Sequence, residues 1–208
     1  MRPTRSLGLA LVVFAAAACS PDASPLTPAE ALPRQAAAAA LPPPACLDFN
    51  VPPLGTPYGA AWGTPVGVPQ WVENGITAAV APYQPGALFV EARVVMPPVP
   101  FGAGPTGRAR SINWHFDFTG LPFVPTAVTF EWMDQGTPSP VENLMVNGSP
   151  LFIGQIHAPP AAMAGIAVGT TVAPVPGGLA GTMKLTGPVQ RMAVGGQPLW
   201  VDRVCAYP

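Results

Sequence analysis

The chain has 208 residues, 9 Lys and Arg against 10 Asp and Glu, a net charge of -1, 49% hydrophobic residues and only 9% charged ones. That balance supplies no positive field to draw in a phosphate backbone, which excludes nucleic-acid binding. With 31 prolines and 22 glycines the chain is interrupted too often for long helices, yet its apolar half is too large for disorder throughout, so one all-β domain with extensions is expected.

Arg2 and Arg5 precede the uncharged run Leu7 to Ala18, and Cys19 follows the alanines that end it. A positive start, an apolar run and a small-residue site mark residues 1–18 as an export signal. The apolar run is too short for a membrane span, which takes about 20 residues. Ala16-Ala17-Ala18-Cys19 resembles the lipobox of bacterial lipoproteins, although Ala16 stands where that family usually has leucine. The resemblance implies that Cys19 is lipid-modified and is the first mature residue. With Ser20 rather than aspartate after it, the resemblance also implies the outer membrane of a two-membrane bacterium. The same alanines fit an ordinary cleavage site, which would leave Cys19 bare. An exported chain meets an oxidising compartment where a leftover thiol is a liability; lipidation of Cys19 would leave Cys46 and Cys205 as an even pair for a disulfide.

Residues 19–45 then form the expected lipid-anchored linker. Proline and alanine dominate it, and it has no aromatic residue and no alternation. Such a segment buries too little to offset its ordering entropy, and its prolines favour extended geometry, so it reads as a spacer.

Residues 46–208 switch to short alternating segments between Gly and Pro. Candidate strands run over Leu47 to Val51, Ile76 to Val80 and Leu88 to Val95. Ser111 to Phe118 is the clearest, with Ile112, Trp114, Phe116 and Phe118 on one face and Ser111, Asn113, His115 and Asp117 on the other. Val128, Phe130 and Trp132 repeat the alternation. Glu142 to Ile156 reads as a hairpin about Asn147-Gly148, a pair suited to the positive φ angles of a type I′ turn. Gly165 to Val172, Leu179 to Thr186, Val189 to Val194 and Leu199 to Val204 complete the set. Roughly ten short strands point to an antiparallel sandwich or barrel. Cys46 opens the domain and Cys205 nearly closes it, so their bridge would staple the first strand to the last.

Cys46-Leu47-Asp48-Phe49, Phe116-Asp117-Phe118, Val128-Thr129-Phe130 and Gly195-Gly196-Gln197-Pro198-Leu199-Trp200-Val201-Asp202 together resemble exported bacterial jelly-roll modules, which are similar to carbohydrate-binding and galactose-binding-like domains. The resemblance implies a jelly-roll-like β-sandwich, a glycan as ligand, and a structural calcium held by Asp48 and Asp202. The residues themselves favour another role for Asp48. If Cys46 opposes Cys205 in an antiparallel pair, Asp48 falls opposite Arg203 and forms a cross-strand ion pair.

No G-x-S-x-G, H-E-x-x-H, Walker or dinucleotide motif occurs, and His115 and His157 stand alone in sequence, so no enzyme is expected. Asp117 and Glu131 fall on outer faces of consecutive strands, where alternation already predicts solvated polar residues rather than a catalytic pair. Tyr58, Trp62, Trp71 and Tyr83 crowd a Gly/Pro-rich stretch. Such rings either stack on sugar or pin the loop to its own core. The expected protein is a monomeric cell-envelope lipoprotein that binds a glycan without catalysis, through these rings and the Asn113, His115, Asp117 face. The alternative is a structural or adhesive protein that binds another envelope protein.

Overall fold

The computed structural model describes residues 41–84, 91–135 and 141–208. The expected export signal, Cys19, the expected linker up to residue 40 and the start of the strand expected from Leu88 lie outside the described residues.

Among the described residues the chain opens with β1 (Ala45–Leu47), β2 (Pro57–Tyr58), β3 (Trp71–Glu73) and β4 (Ile76–Pro82). It continues through β5 (Glu91–Val95), β6 (Thr106–Arg110), β7 (Ile112–Asp117) and β8 (Ala127–Gln135). Next come β9 (Glu142–Val146), β10 (Phe152–Gly154), β11 (Ala162–Met163) and β12 (Ile166–Thr170), then β13 (Ala173–Val175), β14 (Gly178–Thr186), β15 (Arg191–Gly196) and β16 (Leu199–Tyr207). All pair antiparallel in two sheets that pack as a sandwich. The larger has the order β11-β12-β14-β8-β16-β6-β5-β2, with β1 added on β16 and β13 on β14; the smaller runs β10-β9-β15-β7-β4-β3.

Period-2 alternation fills the space between the sheets. Trp114 and Phe116 of β7 and Ile76 and Val80 of β4 meet Phe130 and Trp132 of β8 and Leu199 and Val201 of β16 in one core, all fully buried. The strand expected from Ser111 begins at Ile112 instead. Ser111 itself has φ 54°, and this left-handed residue turns the chain from β6 in the large sheet to β7 in the small one. The expected hairpin forms: Asn147 and Gly148 have φ 49° and 73°, and the Ser149 amide donates to the Val146 carbonyl at 2.8 Å.

The strand expected over Leu47 to Val51 is cut short, because Phe49 takes φ 57° and drops its ring into the core. There it joins Tyr58, Trp71, Trp114 and Phe116, with ring centroids 5.4 to 6.2 Å apart. Gly107 makes room for this cluster, since a Cβ there would stand 2.3 Å from Phe49 and 2.8 Å from the Trp114 indole nitrogen.

Cys46 pairs with Cys205 across β1 and β16, and the two form a disulfide spanning 159 residues. The Asp48–Arg203 ion pair does not form. β1 ends at Leu47 opposite Val204, and Arg203, at φ 46°, forms a bulge where the β16–β8 register shifts. Arg203 instead reaches the Glu131 carboxylate at 2.9 Å, while the Asp48 amide donates to Glu73 at 3.2 Å.

Candidate binding site

The outer face of the small sheet is built from residues that alternate with its core positions. Strand register sets them in rows. Thr77, Asp117 and Arg191 form one, Ala79, His115, Ala193 and Met145 the next, and Ala81, Asn113, Gly195 and Asn143 the third. On this face a trough of about 240 Å³ is lined by His115, Met145, Asn147, Gly148, Gln190, Arg191 and Met192. A second depression of about 380 Å³, lined by Phe118, Leu121 and Phe123, adjoins it through Gln190.

The trough carries polar groups without net charge. Asp117 is cross-strand to Arg191, whose Nε donates to it at 2.8 Å. Burial raises the Asp117 carboxyl, but the hydroxyl and amide of Thr119 and the Arg191 guanidinium outweigh burial and hold it below its ordinary range. Burial pushes the His115 imidazole down; Asp117 opposes that shift and Arg191 adds to it. His115 is therefore a neutral donor and acceptor near pH 7. Asn147 shapes the wall, its side-chain oxygen accepting from the Gln190 and Arg191 amides and its nitrogen donating to the Pro188 carbonyl.

Asn113 shares the face but not the trough. It is buried, and its amide donates to the Pro82 carbonyl at 2.7 Å, while that of Asn143 donates to the Tyr83 carbonyl at 2.7 Å. The Tyr83 hydroxyl donates to the Val141 carbonyl. Burial, and the nearby Glu142 carboxylate, push that phenol up to about 12. The chain leaving β4 thus lies across this end of the face and covers it.

The four rings expected to make a sugar platform are dispersed. Tyr58 and Trp71 pack on Trp114, and Tyr83 is buried, because each ring gains more from the core than from solvent. Trp62 is 52% exposed, but it sits 5.7 Å from the Arg93 guanidinium. Arg93 projects from β5 between the buried Ala92 and Val94, so Trp62 belongs to the outer face of the large sheet, on the opposite side of the sandwich from His115. No single small ligand touches both.

Asp117 and Glu131 are likewise on opposite faces, each with its own arginine. Asp48 lies close enough to Asp202 for its charge to act on that carboxyl. Both Asp202 oxygens accept backbone amides, from Arg203 at 2.8 Å and Ala103 at 3.1 Å, and no cluster of three or more His, Cys, Asp or Glu among the described residues could hold a metal ion. Burial raises Asp202 to about 6, with Glu131 and Asp48 adding to the effect.

Two interior acids were not anticipated. Asp134 and Glu142 turn inward from β8 and β9, at 5% and 0% exposure, and each keeps one oxygen without a hydrogen-bond partner among the described residues. The signal was present in the sequence: Asp134 continues the inward series Val128, Phe130, Trp132, and Glu142 precedes Leu144 and Val146 at the same spacing. Compared with known proteins, the chain matches no family model, no curated protein and no solved structure.

Proposed function

We propose that this is a non-catalytic, ligand-binding β-sandwich of the cell envelope, held to the membrane by a lipid on Cys19, and that it binds a glycan in the His115 trough. The observation that carries this reading is the charge-balanced trough itself. A neutral imidazole, a closed Asp117–Arg191 pair and the exposed Gln190 side chain offer donors and acceptors without net charge, which suits a neutral, hydroxyl-rich ligand. The adjoining depression at Leu121 and Phe123 supplies apolar surface for a second sugar unit.

A glycan array followed by calorimetry tests it. His115→Ala and Arg191→Ala should each weaken a hit about tenfold with the melting temperature unchanged, since both side chains lie outside the core. An array without hits overturns the glycan reading. Cys19→Ala should release the protein from membranes, and a mature N-terminus without acyl mass would remove the anchor.

One observation favours the adhesive alternative. Val51, Leu54, Val66, Val68 and Val72 are exposed along one stretch of chain, and exposed aliphatics of this kind suit a protein partner better than a sugar. Charged substitutions at Val68 and Val72 should then abolish capture of an envelope protein while leaving the array hits intact.

A further inference from the structure

We infer that the outer face of the large sheet carries a second binding surface, independent of the His115 trough, for an acidic saccharide. The backbone register assembles it. Ala92, Val94 and Ala109 point into the core, so Glu91, Arg93, Arg108 and Arg110 of the neighbouring strands β5 and β6 share the opposite face. Glu91 accepts from Arg93 at 3.0 Å with one oxygen and from Arg108 at 2.6 Å with the other. Burial raises the Glu91 carboxyl, but the two guanidinium groups outweigh it and hold the group ionised.

Arg110 stands directly opposite Glu91 in the ladder, yet Glu91 is engaged by Arg93 and Arg108 and not by Arg110. It is exposed and has no partner among the described residues. On β5 and β6 this face carries three guanidinium groups against one carboxylate, while Glu131 further along the sheet has its own partner in Arg203 and Asp202 is capped by backbone amides.

Trp62 completes the surface. The 3-10 turn Ala60–Trp62 presents it, and the Arg93 guanidinium lies 5.7 Å from its ring centroid. At 52% exposure it is the one tryptophan of five that remains open, since Trp71, Trp114, Trp132 and Trp200 are each at or below 8%. A sugar ring with its apolar face on the open indole would bring a carboxylate substituent to the guanidinium groups. Arg93 is also held by the Gly55 carbonyl at 3.4 Å, and Arg108 by Glu91, so these forks are fixed in position. Fixed planar donors suit a planar carboxylate at a set place on a ring better than the mobile headgroups of a lipid surface.

The test titrates the full mature protein with an oligomer of galacturonic acid, and separately with its neutral methyl ester, while following tryptophan emission. The acid form should change the emission and bind at least about tenfold more tightly than the ester, with an affinity that falls as salt rises. Trp62→Ala and Arg110→Ala should each weaken it about tenfold without moving the melting temperature, and His115→Ala should leave it unchanged because that residue lies on the other face. Equal binding of acid and ester, no binding of either, or an Arg110→Ala protein that binds as wild type would overturn the proposal. Binding to phosphatidylglycerol vesicles without binding to the oligomer would overturn it in favour of a lipid surface. The His115 variant separates this outcome from failure of the trough reading.

Discussion

Asp134 and Glu142 enter the interior from opposite sheets, lie in each other's field, and neither is paired with an arginine or lysine among the described residues. Burial raises Asp134 to about 6, with His157 opposing, and raises Glu142 to about 7, where the Ile156 amide lowers it and Asp134 raises it further. Asp202 joins them at about 6. Groups whose folded pKa is raised bind more protons in the folded state, so their stabilisation is full below the unfolded pKa and lost as pH rises through the folded one. Each shift of two units corresponds to up to about 3 kcal/mol. The melting temperature should therefore be highest near pH 4 and fall between about pH 4 and 7. Glu142→Gln should flatten that slope. A melting temperature that is level or rising across this window would contradict the placement of the acids.

The tryptophans should separate cleanly by mutation. Trp71→Ala removes a ring packed on Phe49, Tyr58 and Trp114, and the expected loss is about 3 to 5 kcal/mol. Trp62→Ala should stay within about 0.5 kcal/mol of wild type, as surface substitutions do. Chemical denaturation of the two variants decides it, and equal losses would mean that Trp62 is a packing residue.

Reduction should destabilise the domain substantially. The Cys46–Cys205 bridge ties β1 to β16 across a separation of 159 residues, for which loop-closure entropy gives up to about 5 kcal/mol. A non-reduced peptide map should recover the linked pair. Free thiols at both positions, or a melting temperature indifferent to reductant, would oppose this.

Alternation carried most of what was legible in the sequence. It placed Trp114, Phe116, Phe130 and Trp132 in the core, the Asn147-Gly148 turn in a hairpin, and His115 and Asp117 on an outer face. What it missed depends on contacts between distant segments. Whether Tyr58 or Trp71 faces sugar or core is decided by the space beside Trp114 and Gly107, and no local pattern records that space. The bulge at Arg203 shifts one register by a single residue and redirects an ion pair from Asp48 to Glu131. Very short strands such as β2, β11 and β13 hold two or three residues, too few for a period to show.

Gly195→Ala should be among the most damaging single-methyl changes in the small sheet. Gly195 is paired with Asn113, and a Cβ there would stand 2.1 Å from the Ile112 carbonyl oxygen and 2.4 Å from the Asn113 side-chain oxygen. The first of these atoms belongs to the backbone of a central strand and has nowhere to go. The second belongs to the amide that holds the Pro82 carbonyl, so displacing it also loosens the chain that crosses this face. Overpacking should cost about 1 to 3 kcal/mol, and the lost hydrogen bond about 1 kcal/mol more. Gly169→Ala is the matched control, because its nearest atom would be the Lys184 carbonyl oxygen at 4.0 Å, an ordinary contact. Urea denaturation should show a large loss for the first variant and a neutral or slightly favourable change for the second, since alanine also restricts the unfolded chain. A Gly195→Ala protein within about 0.5 kcal/mol of wild type would mean that β7 and β15 are not in this register.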